Sequence, residues 1–199
     1  SPRAPIANIN FKLYNIGTLA TASIPLGTVF TSTIDDVNYQ FITVSDHTSQ
    51  TINGVLSFSN IPIYEGTYVT NRYEVNTSNA DQKFYMNDAN GDTTTLVVDV
   101  FDNSSSTVST TFTQATDSTQ ITASSEVYFL QESIDGKFEI YFGDGVVGKA
   151  LSDGNIVRLR YVVTNKTAAN NANSFSTSAS ISGITDITTT TVSNASGGA

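Results

Sequence analysis

Apolar and polar residues alternate along most of this chain with a period of two, the pattern of strands that bury one face. Ile6-Ala-Asn-Ile-Asn-Phe-Lys-Leu13 shows it first, and Tyr39-Gln-Phe-Ile-Thr-Val44, Val55-Leu-Ser-Phe58 and residues 67–75 repeat it. Turn residues punctuate these runs. Asn53-Gly54 predicts a two-residue hairpin, because both central positions of that turn need positive φ. Asp35-Asp36, Asn90-Gly91, Asp153-Gly154 and Pro25-Leu-Gly-Thr28 mark further loops and turns. Pro62 has no N–H for a ladder, which predicts an edge strand or a strand start for Ile61-Pro-Ile-Tyr64. Asn76-Thr-Ser-Asn79 is a polar break and a candidate domain boundary.

Beyond that break, Lys83-Phe-Tyr-Met86 and Thr95-Leu-Val-Val-Asp-Val-Phe101 read as strands. Val127-Tyr-Phe-Leu130 is apolar on both faces, which predicts a central strand. Phe138, Ile140 and Phe142 share one face of the next strand. Over residues 156–163, Val157, Leu159, Tyr161 and Val163 point into a core, leaving Arg158 and Arg160 in water or at a contact. Residues 175–181 and 184–192 form an expected final strand pair, while 107–122 are too weakly apolar to assign. No helix-length window carries an apolar period of 3.6; the nearest, 164–173, has Asn and Thr where helix formers belong. The chain reads as mainly β.

The densest signal lies in residues 126–149. Two apolar strands are joined by Asp135-Gly136, read as a two-residue turn, and the second runs into a loop pinned by Gly143, Gly145 and Gly148. The structural motif residues are Asp135, Gly136, Phe142, Gly143, Asp144, Gly145, Gly148, Asp153 and Gly154.

With 199 residues the chain suits one large domain or two small β units. Only 14% of residues are charged, and Ser, Thr and Asn fill the solvent faces. A net charge of −9 without a basic cluster argues against nucleic-acid binding. The absence of Cys excludes disulfides and thiolate metal sites. No apolar run reaches the roughly 18 residues of a membrane helix. The Ser1-Pro-Arg-Ala-Pro start and Ser-Gly-Gly-Ala end predict a fragment excised from a longer chain.

Four patterns invite chemistry, and each has a plainer reading. Gly143-Asp-Gly-Val-Val-Gly148 spells GxGxxG, but the residues after it turn into a strand, not the helix that a pyrophosphate site needs. Asp88-Ala-Asn-Gly-Asp92 with Asp99 resembles a calcium loop, yet Thr93 stands where that loop requires Gly. His47 follows Asp46, but no nucleophile elbow accompanies them. Glu132 and Glu139 flank the hairpin as a carboxylate pair, better read as exposed cross-strand acids. No cofactor, metal site or catalytic residue is expected. Tyr14, Tyr64, Tyr68, Tyr73, Tyr128, Tyr141 and Tyr161 leave open a carbohydrate-binding or adhesin-type β module.

Several landmarks together resemble the baseplate wedge proteins of contractile-tailed bacteriophages, related to the baseplate J-like family. Val127-Tyr-Phe-Leu-Gln-Glu132, then 135–148, then Leu151-Ser-Asp-Gly-Asn-Ile-Val157 carry the resemblance most specifically. Arg160-Tyr-Val-Val-Thr164 and Asn170-Asn-Ala-Asn173 continue it. Ile24-Pro-Leu-Gly-Thr-Val-Phe30, Ile63-Tyr-Glu-Gly66 and Asp92-Thr-Thr-Thr-Leu96 are weaker landmarks in the same order. The resemblance implies two antiparallel β subdomains of sandwich or barrel type, one inserted into the other: 1–79 plus 172–199, and 80–171. It also implies a non-enzymatic structural component of a tail baseplate, assembled in the host cytoplasm, which dimerises or forms a higher homo-oligomer, meets other wedge proteins, joins wedges into a ring and links to the central hub.

Overall fold

The alternation in the first run is realised as strand β1 (Ile6–Leu13), in which Ala7, Ile9, Phe11 and Leu13 are all buried. A computed structural model describes residues 1–133 and 135–199. The strands that follow are β2 (Thr21–Ile24), β3 (Val29–Ile34), β4 (Val37–Ile42), β5 (His47–Ile52), β6 (Val55–Glu65) and β7 (Thr67–Glu74). Then come β8 (Phe84–Tyr85), β9 (Gly91–Phe101), β10 (Ser109–Gln114), β11 (Val127–Glu132), β12 (Phe138–Phe142), β13 (Ile156–Val163) and β14 (Ile187–Ser196). Short 3-10 turns occupy Ser118–Gln120 and Lys166–Ala169, so the described residues are mainly β.

The chain divides into one unit of Ser1–Tyr68 with Val162–Ala199 and a second of Val69–Tyr161. Both junctions fall inside strands β7 and β13, about ten residues before the breaks read from the sequence at 79/80 and 171/172. A strand that leaves one core for another keeps its alternation, so no polar break marks the change. At the end of β13 the parity slips. Val162, expected to point outward, is fully buried beside Ala4 and Ile42, whereas Val163 is half-buried.

In the first unit the sheet order is β14-β1-β6-β4-β3, with β5 attached to β6 and β2 to β5. Asn53 and Gly54 take φ of 51° and 77°, giving the expected tight turn between Ile52 and Val55. Asp35 and Asp36 do the same without glycine, at 49° and 64°. Pro62 lies inside the eleven-residue β6, not at a strand start or a sheet edge. It is tolerated there because its nitrogen faces away from β1, on the side where β5 reaches only Leu56 and β4 begins only at Tyr64. Phe11 stacks on Phe58 at 4.7 Å, and Phe41 meets Phe175 edge-on at 4.9 Å.

The expected final strand pair is not formed. Residues 175–181 make only isolated bridges, and β14 pairs with β1 instead. Phe175 inserts into the core while threonine hydroxyls hold its segment: Thr189 and Thr191 donate to the carbonyls of Phe175 and Asn173, and Thr177 to that of Val29. Those side-chain bonds substitute for a ladder. At the end of β6, Glu65 is 1% exposed. Its carboxylate accepts from the Thr164 hydroxyl at 2.7 Å and from the Asn165 backbone and side-chain amides at 2.9 and 2.6 Å.

In the second unit the order is β7-β13-β9-β10-β11-β12-β8. The two end strands are tied by side chains: the Tyr73 hydroxyl donates to the Tyr85 carbonyl at 2.6 Å, and the Asn71 side chain accepts the Asn87 amide. The sheet thereby curls around Phe84, Met86, Val98, Phe112, Ile140, Leu159 and Tyr161. Sequence reading expected antiparallel pairing throughout, but β10 and β11 run parallel, with Thr113 opposite Val127. The twelve-residue link between them includes the first 3-10 turn and is long enough for a crossover. β11 is central, as its two apolar faces predict.

Candidate interaction site: the glycine-pinned loop

Phe142 ends β12 with its ring edge-on to Phe84 and Phe112, at 5.7 and 5.6 Å. The chain then doubles back. A Cβ on Gly143 would lie 2.1 Å from the Gly148 carbonyl carbon, so only glycine lets the two backbones meet. Gly148, at φ 88°, returns the chain. Every amide from 145 to 149 is engaged. Gly145 donates to the Gly148 carbonyl, Val146 and Val147 to one Asp144 carboxylate oxygen at 2.9 and 2.8 Å, Gly148 to Thr122 and Lys149 to Ser125. These backbone hydrogen bonds, that from Val147 foremost, hold the exposed Asp144 carboxyl below its ordinary pKa. The loop is thus fixed by the Asp144 carboxylate and by backbone bonds to Thr122 and Ser125, and displays Val146, 73% exposed, and Val147, 45% exposed. With the amides of 145–149 engaged and a strand, not a helix, following, this GxGxxG lacks the helix N-terminus on which a pyrophosphate site is built.

The other motif residues lie apart from this loop. Asp153 accepts from the Thr77 amide at 3.0 Å, and Gly154, at φ 80°, donates to the Val75 carbonyl, which fastens the β7 exit to the β13 entry. Gly136, at φ 75°, donates to Ser133, and Ser133 donates to Lys137. The closing pair is therefore Ser133 and Lys137, so the two-residue Asp135-Gly136 turn is corrected to a longer connection; Ile134 lies outside the described residues.

The patterns that invited chemistry are separated too. Asp88 accepts the Tyr161 hydroxyl at 2.6 Å, Asp92 the Thr94 amide and hydroxyl, and Asp99 two arginines, so the three carboxylates do not converge. Gly91 is not needed for a positive φ; a Cβ there would strike Met86 and the Tyr161 ring. The Asp46 carboxylate accepts the Leu26 amide, and His47 faces Ser45 at 3.3 Å, so no relay forms. Glu139 stands opposite Gln131 and bonds Lys83, while Glu132 stands opposite Phe138; the two acids do not face each other. Tyr128 and Tyr161 are buried, Tyr73 is hydrogen-bonded across the sheet, and Tyr64 and Tyr68 pack partly buried against Ala4, Ile42 and Val162. A depression of about 250 Å³ beside Phe142 is walled by Val75, Phe84, Tyr141, Leu151 and Gln82, whose amide is engaged at both ends by its own chain.

The sequence reading took Asp99 only as the end of a calcium-loop pattern and missed its ion pairs with two arginines. Asp99 is 1% exposed on β9, opposite Thr111, and accepts from Arg158 at 2.8 Å, Arg160 at 2.9 Å and the Thr111 hydroxyl at 2.7 Å. Burial pushes its carboxyl up, but the hydrogen bonds from Arg158 and Thr111 and the charges of both arginines outweigh this and hold it below the usual range. An acid inside an apolar strand, with two arginines two residues apart on another strand, was the available signal.

The family model for the third domain of bacteriophage baseplate wedge protein gp6 matches residues 69–174, just over half of the chain. The chain belongs to this family. Membership makes it a structural baseplate wedge component of the phage tail. The wedge match covers the glycine-pinned loop, the Asp99 cluster and the Thr164-Asn165 partners of Glu65. No curated protein sequence matches the chain. No helix among the described residues is long and apolar enough to cross a membrane.

Proposed function

We propose that the chain works without catalysis, as a rigid β building block that joins neighbouring wedges into a ring and links them to the central hub by protein–protein contact. The wedge-family match across residues 69–174 carries this reading. The loop supports it physically: Val146 and Val147 are apolar, exposed and held on backbone hydrogen bonds, so presenting them to a partner costs little ordering entropy. In this reading the full-length protein forms a homodimer or higher homo-oligomer, meets other wedge proteins and assembles in the host cytoplasm. The nested arrangement, 1–79 plus 172–199 around an inserted 80–171, belongs to the same proposal, and the division of the chain within β7 and β13 supports one unit interrupting another.

The test is assembly. Full-length protein carrying Val146→Asp and Val147→Asp is mixed with the remaining wedge proteins, and the products are sized and imaged. Wild type enters tail tips, whereas the variant, folded by circular dichroism, enters at a reduced level. Wild-type protein that never enters the particle overturns the proposal.

A further inference from the structure

The outer face of the second unit carries an unequal charge cluster. Arg158 and Arg160 on β13 share a single carboxylate, Asp99 on β9, and Arg72 on β7 joins Arg158 over the ring of Phe101. Three of the nine cations of a chain with net charge −9 are therefore linked through Asp99 and Phe101. Beneath them lies Phe101, 6% exposed, with the Arg158 guanidinium 4.9 Å and that of Arg72 5.7 Å from its ring centre.

Three features make this more than a solvated ion pair. Arg158 and Arg160 both reach the same Asp99 oxygen, each through one terminal nitrogen, and each keeps about a quarter of its side chain exposed. Their Nε atoms are buried without a hydrogen-bond partner among the described residues. Arg72 is exposed and has no carboxylate partner among the described residues, although Glu74 lies two positions along the same strand face. Asp99 and Phe101 thus hold the arginines flat against the sheet while two positive charges stay uncompensated. At physiological ionic strength the screening length is about 8 Å, so an arriving anion responds to this cluster more than to the acidic remainder.

We infer that this face docks a carboxylate-rich segment of a partner protein, whose Asp or Glu side chains pair with Arg72 and Arg160. Guanidinium forks match carboxylates in pairs, and a strand-borne array of them presents fixed spacing. The inference goes beyond the assembly reading and does not rest on the Val146-Val147 contact. Nucleic acid is the less suitable occupant, because the strip is short and its surroundings are acidic.

The probe is a fluorescein-labelled hexaglutamate peptide, titrated into the full chain and followed by anisotropy and by the arginine Nε–Hε resonances. The expected result is saturable, salt-sensitive binding that shifts the Arg72, Arg158 and Arg160 signals. Arg72→Gln with Arg160→Gln weakens it about tenfold, and Arg72→Gln alone, which removes no ion pair, about threefold. Absent binding, binding that the double variant leaves unchanged, or inorganic phosphate giving the same shifts at equal concentration would each overturn the inference.

Discussion

Replacing Asp99 by Asn removes the one charge that holds two arginines over an apolar strand, and the cost can be worked from the contacts. Two charge-assisted hydrogen bonds are lost, at 2.8 and 2.9 Å, and hydrogen bonds to charged groups contribute about 1.5–3 kcal/mol each. Stranding a buried partner costs about 3–5 kcal/mol, and the quarter exposure of each arginine places Asp99→Asn toward the lower end. At a urea m-value of about 2 kcal/mol/M, a cost of about 3 kcal/mol lowers the midpoint of the second unit by about 1.5 M. The pH dependence has a definite sign. The folded-state pKa of Asp99 lies below its unfolded value, so its stabilisation is complete above the ordinary carboxyl pKa of about 4. The difference between wild type and variant then shrinks as pH falls through the folded pKa. Urea titrations of both proteins from neutral to acidic pH measure it. A difference under about 1 kcal/mol at neutral pH, or one that grows on acidification, would refute the argument.

Gly143→Ala forces a Cβ into the Gly148 backbone and is expected to cost about 3 kcal/mol, toward the upper end for overpacking. Hydrogen exchange checks where the damage falls: the Gly148 and Lys149 amides, bonded to Thr122 and Ser125, lose protection first. Tyr161→Phe removes a hydroxyl that lies 2.6 Å from Asp88 and 2.7 Å from Asn71, for a loss of about 1.5–3 kcal/mol by thermal or urea unfolding. Burial first, then the Asp88 carboxylate, pushes this phenol far above its ordinary pKa. Its stabilising contribution is therefore complete below about pH 10 and declines as alkali ionises the unfolded chain, a decline that the Phe variant lacks.

Much of the architecture was legible because strand alternation and turn chemistry are local. Ile6-Ala-Asn-Ile-Asn-Phe-Lys-Leu13 states its own buried face, and Asn53-Gly54 its own turn, since positive φ is a property of the residues themselves. The glycine-pinned loop was visible as three glycines, and its resemblance to wedge proteins was visible in residues 126–164. Pairing was not local. That β14 joins β1 from the far end of the chain, that β10 and β11 run parallel, and that β6 accepts a proline in mid-strand all depend on which edge another segment leaves open.

The charged residues divide in the same way. Arg158 and Arg160 declared their shared outward face through spacing alone, but only folding brought Asp99, Phe101 and Arg72 to them from two other strands. Glu65 likewise gained its purpose from Thr164 and Asn165, about a hundred positions away. Composition and period determine which side chains turn inward, because water rejects apolar surface wherever it occurs. Which polar groups meet is decided by the completed sheets, because a hydrogen bond needs its partner within about 3 Å and the chain's order does not encode that distance.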